Sequence, residues 1–582
     1  MNWEKPFNQL KEDNDLSRDS IGVFAINLKF GLDDFQAIAS EAITGGGDDK
    51  KCDILYVDKE KQVAVIAQCY LANAIKVAAP ANKASDLNTA ITWLLNTDMD
   101  HLPEGLRGRA DELRSAIQEG EIRQLHIWYV HNCPASKNVK NELIGVEASA
   151  RKALKHIQGG DDISVFSEEV CRDTLEKLYN QAERTIIVTD KIETYVPDAF
   201  EIHSDEWSAL STVVKGAWLR RLYKKHTTDL FSANLRGYLG SRQSDSNINN
   251  GIKETADTEP ENFYVYNNGI TAIVLGYSLG RKTKSGKKLT IEGISIVNGA
   301  QTTGSISSLS DDVSSDLQVP IRFVKAKTDA IVSHVVQFNN TQNKIQAADF
   351  RSNDPIQDRL RHEFKAVPNA EYEGGRRGGA SDVIKRSKYT LPSYTVGQAL
   401  AAFHGDPVTA YDKKSELWTN EKYYRHIFTD RTSARHIVFC YSLLSLVNSR
   451  KLELQQKQRN AGLTEVEERS IKFLNKKGSA YLVLWVASQC METILGKAIP
   501  NKFDIHFKKN ISPSDATKEW LPIFDLIMSL SGQLDSAFSR SRISNDAVGK
   551  SVPNFVGVID SLKEIHKPTF DKFASSVDVK HK

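Results

Sequence analysis

The stretch Phe263–Ile306, FYVYNNGITAIVLGYSLGRKTKSGKKLTIEGISIVNGAQTTGSI, decides how the centre of the chain is read. Phe263 and Val265, then Ile270, Ala272 and Val274, form one apolar run. Leu289, Ile291, Ile294, Ile296 and Val297 form a second. The pattern predicts strands around a basic hairpin loop, Arg281–Lys288, that holds five cations in eight positions. Such a loop serves solubility or contacts a phosphate backbone. Each apolar run carries a polar tip: Asn267-Asn268-Gly269 in the first, and Asn298-Gly299-Ala300-Gln301-Thr302-Thr303 closing the second. Asn-Gly makes turns. Amides and hydroxyls also donate and accept without charge, and glycine lets a ligand approach the backbone. The tips therefore read either as turns or as one recognition surface.

YNNGIT followed by IVNGAQTT resembles the signature of the AIPR family, the abortive infection phage resistance proteins. The likeness continues upstream in NLRGYLG (Asn234–Gly240) and NNGIKET (Asn249–Thr255). Downstream it continues in FNNTQNKI (Phe338–Ile345) and FRSNDPIQDRL (Phe350–Leu360). It covers roughly Ser208–Gly379. The resemblance implies a bacterial antiphage role and supplies no defined chemistry, so the residues have to be argued further.

At 582 residues the chain exceeds one core, and three or four domains are expected. Its 76 basic and 74 acidic residues leave a net charge of +2, so a nucleic-acid site has to be a local patch. Cys52, Cys69, Cys133, Cys171, Cys440 and Cys490 lack CxxC spacing and read as reduced thiols, which with the polar N-terminus points to a cytoplasmic protein. The longest apolar run, Ala480–Ala487, is too short to span a bilayer, so no membrane partner is expected. No Walker A pattern is present, which argues against a P-loop ATPase.

In the N-terminal third, Leu32-Asp33-Asp34-Phe35-Gln36 predicts a helix capped by Asp33 and running to about Thr44, stopped by Gly45-Gly46-Gly47. Asp53–Val57 and Val63–Tyr70 then predict two strands around a charged turn, and Leu125–Val130 a buried strand of the same sheet. This order resembles the restriction-endonuclease-like fold. That likeness implies an acid opening the first strand and Glu or Gln, a spacer and Lys on the second. Asp53 and Gln68 take the first two places, and Tyr70 stands where Lys is usual. Gln68 and Tyr70 share a strand face. Glu41, Asp53 and Gln68 are the expected ligands of Mg²⁺, which takes oxygen donors. Tyr70 would be a neutral donor beside them. Lys76, Lys50 and Lys51 are the nearby cations in sequence. A scaffold that has lost activity is the alternative.

The expected architecture is multidomain, α/β and α+β. Residues 1–135 are a restriction-endonuclease-like mixed sheet, and 136–200 an α/β extension or connector. Residues 201–390 are a central AIPR-type α+β recognition domain, and 391–582 a mainly helical domain suited to packing or homo-oligomerisation. In the central domain the third tip, Asn339–Asn343, offers Asn340 and Gln342. Arg236 follows a basic helix, and Arg376 and Arg377 sit in a Gly-rich loop suited to phosphate. With Asn267, Asn268, Asn298, Gln301 and Thr302 these are the expected contacts to a nucleotide, DNA or RNA. Two functions follow: a Mg²⁺-dependent nuclease, or an inactive nuclease-like scaffold that senses nucleic acid.

Overall fold

The structure, a computed structural model, describes residues 2–45, 48–74, 76–183, 186, 188–226, 230–231, 246–284, 286–309, 313–328, 331–332, 334–335, 351, 354–374, 387–460 and 462–580. The chain divides into two compact units. One joins Met1–Glu176 to Gln346–Lys582, and the other is Lys177–Ile345.

The first unit holds a four-stranded sheet of β1 (Ile54–Asp58), β2 (Val63–Tyr70), β3 (Gln124–His131) and β4 (Ser164–Val170), paired in that order. β1 and β2 form the expected antiparallel hairpin, with Ile54 opposite Ala67 and Asp58 opposite Val63. β2, β3 and β4 run parallel. Parallel neighbours need helical crossovers, and buried parallel strands read as continuous apolar runs. VAVIAQCY and QLHIWYVH are such runs. Leu55, Ile66, Ile127 and Tyr129 pack under the crossover helices with Leu113, Val139 and Val146. On the other face the Ser20–Phe30 helix lies so close that a Cβ on Gly22 would sit 2.7 Å from Ile54 and 2.8 Å from the Cys69 sulfur.

The next helix, Phe35–Ala42, is capped by Asp34 through the Ala37 amide at 2.9 Å. The expected cap was Asp33, which faces Lys414 at 3.7 Å instead. The helix ends at Ala42 because Ile43 turns extended and bridges Ile54.

Residues 1–135 and 391–582, expected as separate domains, belong to this one unit. The C-terminal part is helical, as its 3.6-residue periodicity predicts, with Ser393–Phe403, Ala434–Asn460, Ser479–Gln489 and Pro513–Ser529 around one core. The last of these is capped by Ser512 and carries Pro522 in its interior. Charged residues tie this helical part to the sheet. Glu41 bonds Lys451 at 2.7 Å and Lys477 at 3.2 Å, Lys477 also meets Glu112 at 2.9 Å, and the Tyr411 hydroxyl donates to Glu112 at 2.7 Å.

In the second unit the strands are β5 (Val188–Val196), β6 (Ala199–His203), β7 (Trp207–Lys215), β8 (Ile270–Ile273), β9 (Gly276–Thr283), β10 (Gly286–Asn298) and β11 (Gln318–Ala326). Their order is β5-β10-β8-β11-β7-β6, with β9 also on β10. Only β8 and β11 pair in parallel among these strands. Ile270, Ala272, Ile291, Ile296 and Phe323 pack with Trp218, Leu219 and Leu222 of the Gly216–His226 helix. Phe263–Tyr266, expected as strand, is a short helix in which Phe263 is buried while Tyr264, Val265 and Tyr266 face out. The basic loop shrinks to a tight turn because β9 and β10 pair out to Thr283 and Gly286. The tip after Asn298 is not a loop: Gly299, at φ +96°, starts the Ala300–Ser307 helix.

Glu41 neutralises two lysines that are almost wholly buried, Lys451 and Lys477. Removing one partner of a buried ion pair leaves an uncompensated charge and costs about 3 kcal/mol or more. Glu41→Ala should lower the unfolding free energy from chemical denaturation by that amount and move the midpoint down accordingly, and Glu41→Ala with Lys451→Met should recover part of it. A midpoint unmoved by Glu41→Ala would refute the role given to this bridge.

Candidate active site

Asp53 stands at the mouth of the β1–β2 hairpin. Its amide donates to the Ala67 carbonyl at 3.0 Å, which carries the register one step beyond Ile54 and sets Asp53 across from Gln68. The structure brings these two together. Asp53 Oδ2 accepts from Gln68 Nε2 and from the Cys69 amide, the latter at 2.7 Å. Both side chains are buried, at 8% and 4% exposure. Gln68 Oε1 is buried and has no hydrogen-bond partner among the described residues. Burial pushes the Asp53 carboxyl up to about 6. The Cys69 hydrogen bond opposes that rise, Asp49 adds to it, and Lys83 and Gln68 oppose it.

The register extends this pair across the sheet. Gln68 opposes Tyr129, and Tyr129 opposes Glu169. Cross-strand partners share a face. The Tyr129 hydroxyl is buried without a partner, like Gln68 Oε1. Glu169 accepts from the Ser136 amide at 3.0 Å and lies 3.2 Å from His131 Nε2. One step along, Tyr70 opposes His131. Lys76 donates to the Tyr70 hydroxyl at 2.6 Å. An ammonium thus lies directly beside the Tyr70 hydroxyl.

Glu41 does not join this group. Both of its carboxylate oxygens are taken by Lys451 and Lys477. Burial alone would raise its carboxyl, but the charges of Lys451, Lys477 and Arg109 hold it well below the usual range. The expected ligand set of Glu41, Asp53 and Gln68 therefore reduces to Asp53 and Gln68. Among the described residues no three His, Cys, Asp or Glu side chains gather to hold a metal. One carboxylate beside an orphaned amide oxygen fits Mg²⁺ only in its usual protein mode, where waters and substrate phosphate complete the shell.

Asp49, Lys83, Tyr129, His131 and Glu169 did not stand out in sequence. Tyr129 and His131 sit in a run that reads simply as a buried strand, and their facing Gln68 and Tyr70 depends on a parallel register no local pattern encodes.

In the second unit the first two amide tips adjoin. Asn298 opposes Thr271 on β8, and a Cβ on Gly299 would sit 2.6 Å from the Ile270 side chain. Asn267 closes the Phe263–Tyr266 helix through its amide at 3.1 Å, Asn268 is exposed, Gln301 is half-buried and Thr302 is buried. Arg322 on β11 donates to the Thr271 hydroxyl at 3.2 Å. Arg236, Asn340, Gln342, Arg376 and Arg377 lie outside the described residues. The basic turn lies at the opposite end of β10 from Asn298, roughly 40 Å away at ~3.3 Å per residue. There Lys287 pairs with Asp198 at 2.6 Å and Lys288 with Glu193 at 2.8 Å.

A family model described as AIPR protein matches residues 231–524. The chain belongs to the AIPR family. Comparison with curated proteins and with solved structures finds no match. The family match takes in the adjoining tips of the second unit and runs into the helical part of the first, and the sheet with Asp53 lies before it. Membership suggests a role in phage defence by abortive infection. No helix among the described residues is long and apolar enough to cross a membrane.

Asp53 keeps its proton up to about pH 6 in the folded chain, against an ordinary carboxyl value of 3.8. The folded state binds the extra proton between those values. The stability this contributes is present below about pH 4 and lost as pH rises through 6, amounting to about 3 kcal/mol at ~1.4 kcal/mol per pH unit. Asp53→Asn cannot titrate. From pH 4 to pH 7 its stability should rise by about that much relative to wild type in urea unfolding. Parallel profiles would rule out a proton held at Asp53.

Proposed function

We propose that this AIPR protein acts in abortive-infection defence by cleaving phosphodiester bonds of nucleic acid at the Asp53–Gln68 site. The observation that carries this reading is the pair itself: a buried carboxylate and an amide whose Oε1 has no partner, held in register on adjacent strands. Native proteins rarely bury a polar atom unsatisfied without a ligand or water to meet it. The helix-then-hairpin order and the acid and Gln positions give further support through their likeness to restriction-endonuclease-like domains.

Asp53 and Gln68 Oε1 would hold Mg²⁺, which when bound polarises a phosphoryl oxygen and lowers the pKa of a coordinated water. Hydrolysis would add water at phosphorus and release the leaving oxygen with a proton. The residues of this chain supply the surroundings. The Tyr70 hydroxyl, fixed by the Lys76 ammonium, is a donor for charge developing on the phosphate. Lys83 adds positive field on the Asp53 side. Asp53 becomes a carboxylate above about pH 6, so activity should rise through that pH.

A second reading is favoured by one observation. Glu41 is consumed by two lysines, and Tyr70 leaves the cation one side chain removed from its usual place. On that reading the sheet is inactive and the protein senses nucleic acid through the amide tips of its second unit.

Cleavage of plasmid DNA and of a structured RNA, with Mg²⁺ or Mn²⁺ at pH 7.5, separates the two. The nuclease reading expects Asp53→Ala to lose at least ~100-fold and Tyr70→Phe and Lys76→Ala ~10-fold each, the scale of a lost proton-transfer or charge-stabilising group. Identical cleavage by wild type and Asp53→Ala in every condition would end it. Cleavage that appears only in Tyr70→Lys would select the inactive scaffold.

A further inference from the structure

The short helix before the first amide tip turns three apolar side chains to solvent in succession. Tyr264 is 52% exposed, Val265 76% and Tyr266 64%. Phe263, fully buried, anchors the turn beneath them. Folded chains seldom leave two tyrosine rings and a valine exposed side by side without a partner. The uncharged groups nearby narrow what that partner is. Asn268 is exposed one residue past the helix end, and Asn298 closes the neighbouring strand β10, opposite Thr271. Arg322 reaches Thr271 from the next strand, and the helix lies against that strand.

We infer that this end of the second unit binds single-stranded nucleic acid, with unpaired bases stacked on Tyr264 and Tyr266 and their edges met by the Asn268 and Asn298 amides. A flat ring accepts the face of any base, and an amide can donate and accept on the same edge. A duplex stacks its bases on one another and hides the faces that the rings would take. A protein partner would meet the same rings, but it would not call for two neutral amides and an Arg beside them. The local charge fits stacking better than phosphate neutralisation. Two acids, Glu259 and Glu261, stand in sequence just before the helix, and Asn262 donates to Glu259 at 2.9 Å. Salt should therefore weaken binding little. With one or two phosphates neutralised, raising salt fourfold should cost less than about tenfold in affinity.

The inference extends the sensing reading and stands apart from cleavage, because the test is run in EDTA. Fluorescein-labelled oligo-dT and oligo-U, with a DNA duplex as control, are titrated with the full-length protein and followed by anisotropy. Wild type should bind the single strands and bind the duplex at least tenfold more weakly. Tyr264→Ala with Tyr266→Ala should lose at least about tenfold in single-strand affinity at an unchanged melting temperature, from the ~1–3 kcal/mol that each stacked base contributes. Tyr264→Phe with Tyr266→Phe, which keeps the rings, should bind like wild type. Equal binding by the double-alanine variant would overturn the inference. So would duplex bound as tightly as single strand, no single-strand binding by wild type, or a double-alanine effect confined to self-association in sedimentation. Asp53→Ala, expected to bind normally, separates a failure here from a failure of the nuclease site.

Discussion

The first unit depends on a carboxylate shared by two lysines. Lys451 and Lys477 come from the C-terminal part of the chain, and Glu41 from a helix of eight residues near its start. Burial pushes the Lys451 ammonium down to about 8, and Glu41 is what keeps it charged. An isolated ammonium in that position would be far too costly. The bridge therefore anchors the C-terminal turn of the Phe35–Ala42 helix, and the chain from there to Asp53 is short. Ile43 pairs with Ile54, and the Thr44 hydroxyl donates to the Asp53 carbonyl at 3.1 Å. Gly45, at φ +61°, lies against Gln455, one helical turn beyond Lys451. The acid at the hairpin mouth is thus positioned by residues four hundred places away in sequence.

That separation explains what a reader of the sequence can and cannot see. Val63–Tyr70 and Leu125–Val130 are legible as strands because parallel buried strands are apolar without interruption. The hairpin is legible because its charged turn separates two such runs. The Asp53–Gln68 pairing follows from strand register once the hairpin is accepted. Glu41 misled, because an acid on a helix before the hairpin looks free until its partners are known, and they lie more than 400 residues on. The joining of the N- and C-terminal segments into one unit is hidden for the same reason. Composition shifts mark linkers, not the long-range ion pairs that override them.

Other misreadings are local. Phe263-Tyr264-Val265-Tyr266 has the residue types of a strand, yet only Phe263 is buried, so nothing rewards an alternating pattern. Pro522 disfavours a helix interior, yet Ser512 caps a helix that runs through it, and the packing of Trp520, Phe524 and Ile527 carries the helix past the proline. In both cases tertiary burial outweighs intrinsic preference.

The chemistry of the sheet site bears on how metal and substrate would depend on each other there. An acid-plus-amide pair presents at most one negative charge, and that charge appears only above about pH 6. Lys76 at the rim and Lys83 nearby disfavour a second cation. Magnesium sheds its waters reluctantly and prefers sites where phosphate oxygens contribute. On the nuclease reading, such a site has little affinity for the ion alone and gains it only when a phosphodiester supplies the missing charge. Occupancy of the metal would then follow occupancy by substrate. A site with a second free carboxylate would lack that dependence, and Glu41, locked between two lysines, is not available to provide one.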